Sequence, residues 1–324
     1  MDLFVNTTYN FIRWRWHALA FSLLVIVAGM VQTARNGLPL GIDFSGGTIV
    51  VLKFQQPVAE QAVRDSLASL AGEKVVQQYG DPAAHEVLVR LPQSQQSEQG
   101  TSLEQGARQV VETLRTASLG QFEVISTEIV GPVIGDDLQR KGLYATLASI
   151  FGITLYIAFR FRMSFAVGAI AATLHDVIVT VAFLTFFGYE LSLNVIAAIL
   201  TITGYSVNDT IVIFDRVREN GRTMRGLPLE QQVNVAVNQT LSRTLITAGT
   251  TFLSVLALFL FGGEVLEGFA VTMLVGIVSG TYSTVFIASS IAIALSKNVV
   301  TAAPAPARAG GDAATRPRRR ERRA

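Results

Sequence analysis

Hydrophobic and polar positions divide the chain into two regimes. Residues 16–33 are almost unbroken apolar, residues 35–141 alternate between polar and apolar, and residues 142–295 return to long apolar runs with short polar breaks. A bilayer core about 30 Å thick needs roughly 20 apolar residues at 1.5 Å rise each. Six stretches meet that length, near 16–33, 142–159, 164–187, 191–214, 244–261 and 268–295. The pattern therefore predicts one span, a large polar domain, then five closely spaced spans. The first run is longer than a signal-peptide core and no convincing A-x-A site follows it, so a retained anchor is expected.

Inside the polar region the periodicity changes again. Residues 48–54 (TIVVLKF) are rich in β-branched side chains and predict a strand, and 58–70 places Val58, Ala62, Leu67 and Leu70 at helical spacing. Strands are predicted at 74–79 and 86–91 across the turn signal Gly80-Asp81-Pro82, a helix at 103–119 and a last strand at 121–130. The order β-α-β-β-α-β predicts an α+β ferredoxin-like domain, a sheet covered on one face by two helices. The Gln/Ser/Gly stretch 93–102 is expected to be a surface loop and His85 a solvated turn residue. Gly131-Pro132 closes the domain, and Val133 to Lys141 should lead into the second span as an amphipathic continuation. The expected fold is an all-α bundle of six transmembrane helices with one ferredoxin-like domain between the first and second. Its divisions are 1–34, 35–141, 142–296 and a basic, disordered tail 297–324.

Composition agrees with this plan: 50% of the 324 residues are hydrophobic and 15% charged, against about a quarter charged in soluble domains. A soluble enzyme is thereby excluded. With no cysteine there is no disulfide framework, cysteine metal site or thiol chemistry. His17, His85 and His175 lie far apart and offer no close metal-ligand spacing, so neither metal nor catalytic residues are expected. The net charge of +2 hides a tail carrying Arg308, Arg316 and five further arginines, expected to lie near anionic lipid, with ribosome or nucleic-acid contact a weaker option. Arg13, Arg15, Arg160, Arg162, Arg216 and Arg218 flank one set of span ends, whereas the opposite turns 188–190 and 262–267 contain no Lys or Arg. Basic residues stay on the cytoplasmic side. Both termini are therefore expected in the cytoplasm and the polar domain outside it. No GxxxxGK[ST] loop occurs. Work would have to come from an ion gradient, at about 2.3 kcal/mol per charge per 100 mV. Six spans and one outer domain also look like half of a pseudosymmetric transporter, so a partner chain is expected.

Ionisable side chains at membrane depth need a partner or a purpose, since each costs about 2.5–3.5 kcal/mol on insertion scales. Asp176 lies mid-span beside His175. Whether the two act together stays open, because adjacent helical residues point in different directions. Asp209 lies in Gly204-Tyr205-Ser206-Val207-Asn208-Asp209-Thr210, and Arg243 opens the fifth span with Thr247, Thr250 or Thr251 and Ser254 following at helical spacing. Thr201, Tyr205 and Asn208 or Asp209 share a face of the fourth span, so the two stripes could bring Asp209 to Arg243. Two readings stand: a buried ion pair with the hydroxyls as interhelical glue, or a proton or cation path in which a moving guanidinium switches the carboxyl between holding and releasing a proton. On the sixth span Thr272, Ser279 and Ser283 share a face, and Gly276-x-x-x-Gly280 permits close helix contact. Asp215, Arg216, Arg218 and Glu219 read as a charge network at the membrane edge or as a solvated face.

Four passages together resemble the SecF family, membrane subunits that work with SecD in bacterial protein export and belong to the RND-type superfamily. They are Gly41-Ile42-Asp43-Phe44-Ser45-Gly46-Gly47-Thr48, Leu174-His175-Asp176, the segment from Gly204 to Asn220, and Asn238-Gln239-Thr240-Leu241-Ser242-Arg243-Thr244. The resemblance reaches to about Leu295 and implies an accessory subunit of the Sec translocase. Such a subunit uses the proton gradient, or sodium in some relatives, to promote late-stage preprotein export across the cytoplasmic membrane. Asp209 and Arg243 match family positions tied to proton conduction, with Asp176, Asn208 and Thr247 beside them as further path candidates and Asp43, Phe44, Gly46 and Gly47 as the family motif. A third acidic group of the family belongs to SecD. No cofactor beyond the coupling ion is implied. Implied partners are SecD, the SecY-SecE-SecG translocon, YajC and YidC, unfolded preprotein and membrane lipid, with no specific nucleic acid. Two other classes compete. An RND small-molecule exporter usually carries twelve spans and two large outer domains, and a scaffold would stabilise the translocase by contact alone.

Overall fold

The computed structural model describes residues 7–70, 74–92, 101–117 and 119–301. Most of the loop expected at 93–102 and nearly all of the expected basic tail lie outside them. Helix α1 (Arg15–Asn36) leads to a single helical turn α2 (Ile42–Ser45) that the sequence reading did not foresee. Strand β1 (Gly47–Phe54), helix α3 (Glu60–Ser66), strands β2 (Val75–Tyr79) and β3 (Glu86–Pro92), helix α4 (Thr101–Thr116) and strand β4 (Phe122–Val130) follow. The order is β-α-β-β-α-β, and the four strands run β2-β3-β1-β4, each antiparallel to its neighbours.

The core of this sheet domain follows from strand alternation. Val50, Leu52 and Phe54 of β1 point to the side of Val63 of α3, Leu67 just after it, and Val110 and Leu114 of α4, forming one apolar cluster. The register that pairs Val50 with Val89 and Ile49 with Arg90 puts Arg90 on the opposite face. His85 ends a short 3-10 turn with φ 56° and is only half-exposed. It is a turn residue, as its position suggested, but one held in left-handed geometry.

The remaining helices are α5 (Pro132–Arg160), α6 (Met163–Phe187), α7 (Leu193–Thr223), α8 (Leu229–Phe261), α9 (Glu264–Ser283) and α10 (Ser289–Thr301). A π-helical segment, Thr284–Ala288, joins α9 to α10. Six helices are long and apolar enough to cross a membrane. Several outrun a bilayer: the 31 residues of α7 measure about 46 Å at 1.5 Å each. In the last turns of α7, Asp215 pairs with Arg160 of α5 at 2.8 Å and Arg216 with Glu219 at 2.6 Å, while Arg218 is exposed. Nearby, Asn234 and Asn238 of α8 each hydrogen-bond the Tyr9 backbone, which ties the N-terminal segment to that end. Helix α5 starts two residues after β4 and runs without a break into its span, so 133–141 is a helical lead.

Close helix contact is set by small residues. A Cβ on Gly276 would overlap the Ile202 side chain, and one on Gly280 would sit 3.0 Å from the Ser206 Cβ, so α9 lies directly against α7. Gly276→Ile should lower the thermal unfolding temperature of the purified chain, the overpacking costing about 1–3 kcal/mol. Gly152→Ala, where no atom lies within 4 Å, should leave it unchanged or raise it slightly, as Ala favours a helix over Gly by about 0.5–1 kcal/mol.

Candidate functional site

The bundle interior is organised around Asp176, which is 1% exposed. Ser206 of α7 donates to its Oδ2 at 2.6 Å, Ser283 of α9 to the same oxygen at 2.7 Å, and Ser279 of α9 to Oδ1 at 2.7 Å. His175 Nδ1 lies 3.1 Å from Oδ1, so the neighbouring side chains are in contact. The other His175 nitrogen reaches Ser22 Oγ on α1 at 2.9 Å, and Ser22 bonds Tyr282, whose hydroxyl donates to the Ala18 carbonyl at 2.6 Å. One carboxylate thus links α1, α6, α7 and α9. Thr210 and Thr284 bridge α7 to the π segment at 2.9 Å, directly below Ser283. A widened helical turn beside a buried charge is a common feature of functional positions.

Asp209 lies one turn after Ser206 on α7 and contrasts with Asp176. It is 4% exposed, yet its buried Oδ2 has no hydrogen-bond partner. The nearby Tyr205 hydroxyl faces Thr247 and Thr251 of α8 and likewise makes no hydrogen bond of good geometry. Arg243 is the cation whose field reaches Asp209, but the guanidinium is exposed. No ion pair among the described residues joins the two. Asn208 is exposed and Thr247 half-buried on the same side. The hydroxyl stripe of α8 serves its own helix: Thr247, Thr250, Thr251 and Ser254 donate to carbonyls four residues back at 2.8–3.0 Å. Ser279 and Ser283, in contrast, bond across helices to Asp176.

The family-motif residues lie elsewhere, between the sheet domain and the bundle. Phe44 is buried against Leu184, Leu191 and Leu138, and Asp43 Oδ2 accepts the Leu193 N–H at 2.9 Å. Gly46 and Gly47 have φ of 67° and 133° and turn α2 into β1. Beside them Tyr189 donates to Glu267 at 2.9 Å, joining the α6–α7 turn to α9. Burial and the Glu267 carboxylate push the Tyr189 hydroxyl up to about 12, so it remains a donor near neutral pH. Ser22, Tyr282, Arg90 and Glu190 were not singled out from the sequence. The only signal for Ser22 was one hydroxyl in an apolar run.

One span, a β-α-β-β-α-β insertion and five further spans, with carboxylates at membrane depth, define a polytopic transport-type membrane protein. The model of the protein export membrane protein SecD/SecF C-terminal region matches residues 110–298, and that of the SecD/SecF GG motif matches residues 34–58. The protein translocase subunit SecF of Rhodothermus marinus is 41% identical over 91% of this chain and 96% of that protein. The SecF of Escherichia coli O157:H7 is 39% identical over 89% and 88%. The crystal structure of SecDF, a translocon-associated membrane protein from Thermus thermophilus, superposes with a TM-score of 0.80 at 37% identity. A SecDF structure in a super-membrane-facing form gives 0.68. Both cover 92% of this chain, which spans only 40% of those SecDF chains. The chain belongs to the SecF family of protein translocase subunits, multi-pass membrane proteins.

Asp176→Leu should lower the unfolding temperature of the purified chain by several degrees, because it strips the acceptor from three serines and His175, a loss of order 3 kcal/mol. Asp209→Asn, at a carboxylate with an unpartnered oxygen, should shift it by less than about a third as much. Thermal unfolding followed by size-exclusion chromatography measures both.

Proposed function

We propose that this chain works with a SecD partner at the Sec translocon and draws on the proton or sodium gradient to promote late-stage export of preproteins. The observation that carries this reading is Asp209: a buried carboxylate with an unpartnered oxygen, one helical turn from Ser206 of the hydrogen-bonded hub, near an exposed guanidinium at similar depth. Asp209 lies about 24 Å along α7, and Arg243 about 27 Å along α8, from the helix ends near the sheet domain. An acid so placed is suited to take up and release an ion as Arg243 approaches and withdraws.

In this reading the basic flanks set both termini in the cytoplasm, and the sheet domain is an extracytoplasmic ferredoxin-like unit that contacts the unfolded chain. Helix α5, continuous from the domain into the membrane, carries movement between them. The coupling ion is the only cofactor. Arg243 and Asn208 are exposed in the isolated subunit, and an arginine is poorly accommodated by lipid tails. We assign that face to SecD. The two SecDF forms, matched to different degrees at equal coverage, support a fold with more than one arrangement. YajC, YidC and the SecY-SecE-SecG complex remain partners by family likeness.

The test is gradient-dependent completion of preprotein export in vesicles carrying this chain with SecD at matched levels. Asp209→Asn should abolish the gradient-dependent component, and Arg243→Ala should reduce it strongly. Unchanged export in both variants would leave the chain as a scaffold.

A further inference from the structure

The family motif forms a second attachment between the sheet domain and the bundle, separate from α5. Leu191, in the turn between α6 and α7, donates to the Pro39 carbonyl at 2.7 Å, and the Gly41 N–H returns a bond to Leu191 at 2.8 Å. Residues 40 and 191 thus form a short parallel bridge. A Cβ on Gly41 would lie 2.9 Å from the Leu191 carbonyl oxygen, so the approach needs glycine. The Asp43 carboxylate, contributed from outside the helix, accepts the first N–H of α7, and Ser192 accepts the Val195 N–H at 3.3 Å. Two of the donors that a helix start leaves free are used in this way.

Arg90 closes the contact from the sheet. Its side chain is 10% exposed and pairs with Glu190 in the α6–α7 turn. Its other amine donates to the Leu40 carbonyl at 2.7 Å and to Ser45 Oγ at 3.0 Å. One guanidinium therefore holds β3, the motif and the turn together. The contact combines this polar cluster with Phe44 packed among Leu138, Leu184 and Leu191, and Glu190 is 38% exposed. Water reaches the Glu190 side of the pair and weakens it, and domains move relative to one another unless their contact is large and hydrophobic. The sheet domain is thus joined covalently through α5 and, by residues 37–46, to α1, and it is held reversibly through this cluster.

We propose that Asp43, Arg90 and Glu190 form a releasable joint that transmits the position of the sheet domain to α7. They are positioning residues for Asp209, which sits on the same helix about 24 Å away. The link to export rests on the reading above; the mechanical claim does not.

The absence of cysteine allows spin labels at Gln77→Cys on β2 and Phe187→Cys at the end of α6, both exposed positions. The distance between them is measured by pulsed electron resonance in the full chain with SecD in vesicles. The expected result is a narrow distribution that broadens in Asp43→Ala and in Glu190→Ala. Asp43→Asn, which keeps an acceptor for the Leu193 N–H, should stay close to the unsubstituted protein. Glu190 lies outside the sheet domain, so its variant separates loss of the joint from misfolding of the domain. Narrow distributions in both alanine variants would overturn the joint. Broadening with undiminished gradient-dependent export would overturn its transmission to Asp209. If Asp209→Asn alone leaves export unchanged, the ion-coupling reading fails, and the distances still decide whether the joint exists.

Discussion

A carboxylate without water around it must be met by donors from the protein, and the packing of this bundle turns on how Asp176 is met. Its acceptors are used by hydroxyls from α7 and α9 and by the adjacent imidazole. Those bonds require α9 to approach α7 closely, which the glycines at 276 and 280 allow. They also require α1 to lie beside α6, where Ser22 completes the outer side of His175. Apolar surface alone gives little direction to helices in lipid, because the tails are as apolar as the side chains. Direction here comes from the hydrogen bonds of one acid.

The same constraint makes Asp209 conspicuous. Within one turn of α7, Ser206 and Thr210 are bonded to α6 and to the π segment, while Asp209 and Tyr205 keep buried oxygens unpartnered. One side of the helix is therefore fixed and the other incomplete. An incomplete polar site at membrane depth is costly, so its completion by an ion, a moved Arg243 or a second subunit would be favourable.

The parts legible in the sequence were those with a period. Apolar runs gave the six spans, and alternation gave the β-α-β-β-α-β order. Helix lengths were less legible: α8 begins at Leu229, fifteen residues before the apolar run at 244, because its first four turns combine an apolar face with Asn234 and Asn238 on the other. Their place inside apolar spans brought out Asp176, Asp209 and Arg243, but that place does not tell which carboxylate is fully bonded. The bonding depends on Ser206, Ser279 and Ser283, remote from Asp176 in sequence and ordinary in type. Arg90 was illegible for the same reason, since its partner Glu190 lies a hundred residues away.

Helix α7 connects these features. Its first N–H is held by Asp43 from the sheet domain, its middle supplies Ser206 to Asp176 and presents Asp209, and its last turns carry the ion pairs at the far end. A helix propagates displacement along its axis because its hydrogen-bond ladder is far stiffer than the side-chain contacts around it. A small axial shift or rotation at Leu193 would reach Asp209 almost undiminished. It would first have to strain the Ser206 bond to Asp176, so the hub gives α7 a defined resting position. On the proposed reading, a domain contact at one end and an ion site near the other become coupled because they share a rod held at a single polar pivot.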